Sequence, residues 1–334
     1  MKLSIDQIKS VTQGAVSVFE VDDNICFRRF TAEQEELYRI TNEEFWKKTF
    51  STAGVKLCFQ TDSEHLDLAV LTLESSSRTY FSIDVLVNEE YIDSLKNFRE
   101  EEMNGDYTKN PYPLGHFEKR FELGTGMKTV TMYFPWSVEA RIEALCLDDN
   151  TKVIPVRPDK TMLVFGDSIT HGYDAKRTMN RYVVQAANAL HAEEVNKAIG
   201  GEVFFPELAA IRESYDPDYI LVAYGSNDWG KTTWDQFAVN CPKFYETLAE
   251  LYPSSKIFAL APIWRKDHEE VRECCDFRRV AEYIQEATKP FSNITVIDCF
   301  DFIPKDVNYF ADFKLHPNDE GFAHYGKNLI LNLL

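Results

Sequence analysis

Five short apolar runs in the second half of the chain constrain its fold more than any other feature. They are TMLVFG from Thr161, EEVNKAI from Glu193, DYILVAYG from Asp218, KIFALAPI from Lys256 and ITVIDCF from Ile294. None alternates strictly between apolar and polar, as expected for strands buried on both faces. Between them lie helical patterns: RYVVQAANAL from Arg181, WDQFAVNCPKFYETLAELY from Trp234, EEVRECCDFRRVAEYIQEA from Glu269 and EGFAHYGKNLILNLL from Glu320. Strands alternating with helices predict a parallel sheet with right-handed crossovers, covered on both faces. In such a sheet the ligand site lies beyond the carboxyl ends of the strands.

The first half has a different rhythm. VKLCFQT from Val55, HLDLAVLTLE from His65, YFSIDVLVN from Tyr80, HFEKRFELG from His116, KTVTMYF from Lys128 and ARIEALCLD from Ala140 alternate with period two. Turn-forming residues separate them, and a helical stretch is expected only around Ala32–Tyr38. This spacing predicts an antiparallel β-sandwich or jelly roll. The segment 148–160, with Pro155 and Pro158, reads as a connection. A chain of 334 residues exceeds the size of one typical core. The expected domains are therefore 1–155, all-β, and 156–334, α/β.

Composition excludes several classes of partner. The formal net charge of −18 repels phosphate backbones and anionic lipid surfaces. It disfavours nucleic acid and membrane and points to neutral or cationic small substrates. No apolar run approaches the roughly 18 residues of a membrane span, and the polar N-terminus does not read as a signal peptide. Seven cysteines, an odd number without a C-x-x-C pair, predict a reduced cytoplasmic protein.

The first buried strand stops on Gly166-Asp167-Ser168, within LVFGDSITHGY. A serine hydroxyl is a weak nucleophile unless a base, usually histidine, stands beside it. The developing oxyanion also needs fixed N–H donors. Suitable residues follow in order: Gly201 in NKAIGGEVF after the second strand, Asn227 in AYGSNDW after the third, and His316 in DFKLHPND before the last helix. Asp167 is expected to brace the loop, and His171 to be a loop residue. HEEVR at His268 lacks the second histidine of a zinc-binding helix, so no metal site is expected. Trp229, Trp264 and Tyr173 follow strand ends, where they can stack on a sugar ring or pack between loops. Trp136 is expected at a core or interdomain contact.

With these four blocks, GDSIT, the glycine of IGGEV, GSND and LHPND, residues 160–334 resemble the SGNH hydrolases, also called GDSL esterases. The resemblance implies a flavodoxin-like three-layer domain working through an acyl-enzyme without cofactor. It implies Ser168 as nucleophile and His316 as general base. It also implies an oxyanion hole of the Ser168 N–H, the Gly201 N–H and the Asn227 amide, with Gly200 the alternative glycine. The family's acid stands three residues before the histidine, a position held here by Phe313. Two arrangements remain: Asp312 orients His316 across a longer loop, or a backbone carbonyl does so in a Ser-His dyad. The preceding sandwich is similar to that of two-domain carbohydrate esterases that remove acetyl groups from sugars. The implied substrate is an acetylated sugar or oligosaccharide. The alternatives are a lysophospholipase or thioesterase with an apolar acyl pocket, and a non-catalytic carbohydrate-binding protein. The sandwich can bind carbohydrate, wall the cleft or form a homo-oligomer.

Overall fold

The change of rhythm near Lys160 is a change of architecture. In the computed structural model, which describes residues 1–334, the first half forms two antiparallel sheets and the second a five-stranded parallel sheet. One antiparallel sheet orders Thr12–Gln13, Lys56–Thr61, Lys128–Tyr133, Ser82–Val87 and Glu90–Lys96, with Ile154–Pro155 also on Lys56–Thr61. The other orders Ser17–Val21, Asn24–Arg28, Val138–Leu147, His65–Glu74 and Gly115–Glu122. Along His65–Glu74 every second residue from Leu66 to Thr72 is buried, the alternation of a strand with one face on a core. Leu66, Leu68 and Val70 pack there with Phe59, Ile83, Val130 and Ile142 between the sheets.

The parallel sheet has the order Ala192–Asn196, Lys160–Gly166, Tyr219–Ala223, Lys256–Ala261, Ile294–Asp298. In chain order this is 2-1-3-4-5, the flavodoxin-like winding, whose direction reverses between the first and third strands. Helices Tyr182–Ala189, Trp234–Leu251, Phe277–Thr288 and Asp319–Leu333 accompany it. The helical pattern expected from Glu269 begins only at Phe277. Upstream, Arg272 lies over the Trp229 ring and Cys274 is buried, so this stretch is held by side-chain contacts as a loop.

The two halves share a core. Phe30, Tyr38, Tyr80 and Trp136 from the first half belong to the same apolar cluster as the residues of the parallel sheet. Helices Ala32–Thr41 and Glu43–Thr49, which follow the first hairpin, lie within this shared region. All seven cysteines are free thiols. No helix is long and apolar enough to cross a membrane.

Candidate active site

Gly166 ends the first parallel strand because nothing larger fits. A Cβ there would stand 2.5 Å from Thr170 Oγ1 and 2.9 Å from the Ala223 carbonyl oxygen. The chain then enters one helical turn, Ser168–His171, whose cap is Asp167; its carboxylate accepts the Ile169 N–H at 3.0 Å. Burial pushes the Asp167 carboxyl up to about 6, opposed by that N–H. Asp167 thus braces the turn, and Ser168 takes the first helical position, where amides have no partner within the helix.

His316 lies in the loop before the last helix, and its Nε2 is 2.8 Å from Ser168 Oγ. Its Nδ1 is 2.8 Å from Asp312 Oδ2. With Asp312 ionised, Nδ1–H donates to the carboxylate and Nε2 accepts the Ser168 hydroxyl. The other Asp312 oxygen, Oδ1, accepts the N–H groups of Lys314, Leu315 and His316 at 2.9, 2.7 and 3.1 Å. The extra residue between acid and base is absorbed at Phe313, which adopts φ +54°. That left-handed step folds the loop so that an aspartate four residues upstream reaches the ring. Burial opposes ionisation of Asp312. The hydrogen bond and charge of His316, with the backbone N–H donors, outweigh it and hold the carboxyl well below the usual range. Burial likewise opposes the imidazolium, but the Asp312 hydrogen bond and the charges of Asp174 and Asp312 raise the His316 pKa.

The loop after the second strand distinguishes the two glycines. The Gly200 N–H donates to His171 Nδ1 at 3.2 Å, and a Cβ on Gly200 would lie 2.6 Å from the Tyr173 ring. Gly201 has φ +97° and lines the cleft without such an amide partner. The first half of the chain fixes this loop. Arg29, fully buried, donates to the carbonyls of Asn196 and Ala198 at 2.8 and 2.9 Å. Lys48 Nζ donates to the Gly200 carbonyl at 2.8 Å, and from the second half Lys231 Nζ donates to that of Gly201 at 2.8 Å. Asn227, after the third strand, gives one amide hydrogen to the Glu202 carbonyl at 3.0 Å, leaving the second for the cleft. The buried Glu202 carboxyl, pushed up by burial to about 8, accepts the hydroxyls of Tyr38 and Tyr224.

Ser168, Gly201, Asn227, His316 and Tyr173 all line one open cleft of about 400 Å³. Tyr173 packs between Trp136 and His316, and its hydroxyl has no protein partner. Two tryptophans expected on the substrate side lie elsewhere. Trp229 is fully buried, donates its indole N–H to the Cys275 carbonyl at 2.9 Å and stacks under Arg265. Trp264 packs on Phe310 and His268. Both fill space between loops, a position sequence cannot distinguish from the cleft wall. His171 is buried in the junction, and burial, with the charges of Arg29 and Lys48, depresses its pKa. Trp136 donates to the Ala175 carbonyl at the same junction. The cleft lining differs from the chain-wide charge. Lys48, Arg78, Lys231, Arg265, Arg272 and Lys314 line it with only two carboxylates, Glu44 and Asp267. A chain-wide balance says little about a local surface.

The sequence pattern did not single out Asp174. It is fully buried, accepts Arg78 Nε and Nη2 at 2.7 and 3.1 Å and the Tyr80 hydroxyl at 2.8 Å, and lies 3.4 Å from His316 Nδ1. Asp174, Asp312 and His316 bring three metal-type donors within 4.8 Å. Their oxygens and nitrogens are already engaged with one another and with Arg78, Tyr80 and backbone N–H groups, as in a hydrogen-bond network.

Residues 164–324 match the GDSL-like Lipase/Acylhydrolase family. The matched stretch begins within the first parallel strand and ends within the last helix. A comparison with curated protein sequences gives no match. Solved structures share the fold of the GDSL-like domain together with its sandwich. A salicylyl-acyltransferase from a tetracycline biosynthetic pathway is 17% identical with a TM-score of 0.78, over 97% of this chain and 95% of that one. A family two carbohydrate esterase from Cellvibrio japonicus is 17% identical with a TM-score of 0.64, over 100% and 96% of the two chains. An acetyl xylan esterase from the rumen bacterium Butyrivibrio proteoclasticus is 16% identical with a TM-score of 0.55, over 84% and 89%.

Proposed function

We propose that this protein is a serine esterase that removes short acyl groups, acetyl above all, from a carbohydrate. The observation that carries the chemistry is the continuous chain Ser168 Oγ, His316, Asp312, with 2.8 Å at each step. Ser168 Oγ attacks the ester carbonyl while its proton passes to His316 Nε2. The Ser168 and Gly201 N–H groups and the free Asn227 amide hydrogen receive the oxyanion, a stabilisation worth about 10²–10³ in rate per donor. His316 returns the proton to the leaving alcohol. Water, deprotonated by His316, then releases the acid and regenerates Ser168. The reaction needs no cofactor.

The acyl preference rests on the cleft wall. Its only large apolar residues are Tyr173 and Leu315, whereas a lysophospholipase needs an apolar channel for the chain. Tyr173 is itself buried between Trp136 and His316, so the carbohydrate part of the reading is supported instead by the fold shared with the family two carbohydrate esterase and the acetyl xylan esterase. Glu44, Lys48, Ser77 and Arg78 bring the first half of the chain to the cleft, which supports a wall-forming role for the sandwich. The free thiols support a reducing, cytoplasmic compartment. The test is a panel of acetyl and octanoyl esters of one alcohol. Acetate should be released at least about tenfold faster in kcat/KM, the scale on which a poorly fitting chain is rejected. Faster octanoate release sinks the acetyl reading in favour of the lipase-like one.

A further inference from the structure

We propose that Asp174 is a second acid acting on His316, held in place by Arg78 of the sandwich, so that the strength of the base depends on how the two halves meet. The inference rests on His316 being the base of the reaction above. Nδ1 is hydrogen-bonded to Asp312 at 2.8 Å, and Asp174 Oδ2 at 3.4 Å stands too far for a strong second bond. It therefore acts through charge, in a place where water cannot screen it, since its side chain is 0% exposed.

The charges around the ring add up in a telling way. The neutral imidazole, Asp312, Asp174 and Arg78 together carry one net negative charge. When His316 takes the serine proton, the buried quartet becomes neutral. Without Asp174 the same step would leave an excess positive charge. Arg78 forms a two-pronged ion pair with the Asp174 carboxylate, which also accepts the Tyr80 hydroxyl, and the Tyr107 hydroxyl donates to the Asp174 backbone carbonyl at 2.7 Å. All three donors come from the first half of the chain. The other groups near the ring are Asp167 and Tyr173 from the serine loop and Lys314 from the histidine loop. None of these makes an ion pair with His316. Asp174 is thus a positioning residue: it touches the base and not the substrate.

The experiment follows the His316 ring by NMR in histidine-labelled protein, assigned with His316→Gln, alongside the pH profile of kcat/KM. Asp174→Asn should lower the His316 pKa by about one pH unit, the low end for an opposite charge at this distance because Arg78 offsets part of it. The acid limb of the profile should move down with it. Arg78→Gln, which leaves the Asp174 carboxylate in place, should move both up. If neither variant moves the ring pKa by more than about 0.2, far below the expected shift, the proposal is wrong. A purely structural role would lower activity without moving either pKa. Ring titration does not depend on turnover, so it tests Asp174 even if Ser168→Ala were to keep its activity and sink the esterase reading.

Discussion

Replacing Asp312 by Asn and by Ala separates the two tasks of this carboxylate. Oδ2 faces His316 Nδ1, while Oδ1 accepts three backbone N–H groups. In Asp312→Asn the amide oxygen can still take those N–H groups, but an NH₂ group then faces Nδ1. The ring is pushed to the tautomer with its proton on Nε2, where it cannot accept from Ser168. In the serine-protease template this substitution costs about 10⁴ in kcat. Asp174 still favours a proton on Nδ1, so a smaller loss of about 10²–10³ is expected here, with KM nearly unchanged. Stability should fall by less than about 1 kcal/mol, since hydrogen bonds to Oδ1 are only weakened. Asp312→Ala should lose similar activity and in addition about 2–3 kcal/mol, because three amides lose an ionised acceptor. Steady-state kinetics and urea unfolding read the two quantities. A loss of less than about threefold in kcat for a folded Asp312→Asn variant would refute the orienting role, being far below the effect of a wrong tautomer.

Asn227→Ala should lower kcat by about 10²–10³ and leave KM nearly unchanged, as for one oxyanion donor; a change in KM alone would make Asn227 a ground-state contact. The general base must be neutral, and the His316 pKa is raised, so kcat/KM should climb through a midpoint above about 6.5. A midpoint below that value in the pH profile would contradict the electrostatics of the pair. Arg29→Met should cost at least about 3 kcal/mol in denaturant unfolding, since it strips donors from buried carbonyls. Phe313→Val should cost about 1–2 kcal/mol, because a β-branched residue is strained at φ +54°, while Phe313→Gly should cost less. Equal losses would show that the ring, and not the backbone, matters at that position.

The sequence pattern revealed most where one local cause decides the outcome. Alternation along His65–Glu74 and the apolar run at Met162–Phe165 reflect one-faced and two-faced burial, and both appear directly in the residues. Glu90–Lys96 escaped notice because its first four residues are exposed at a sheet edge, where alternation carries no signal. The helical pattern from Glu269 failed in its first turns because contacts with Trp229 override periodicity. Ser168, Asn227 and His316 stood out as candidates because each sits at a strand end or before a helix, and the structure brings them to one cleft. The reach of Asp312 depends on a single left-handed residue that no composition rule anticipates. Arg29 and Arg78 act on residues far along the chain, Ala198 and Asp174, and a pattern read locally cannot link them.

The central claim is that Ser168 is a nucleophile activated by His316. Labelling with a serine-reactive phosphonate, located by peptide mass spectrometry, tests it most directly. One equivalent should attach at Ser168 in the native chain as esterase activity disappears. Labelling should be slower by at least about 10³ in His316→Ala, since the serine loses the base that activates it. Labelling of Ser168 at an undiminished rate in His316→Ala, or inactivation through another residue, would contradict the account.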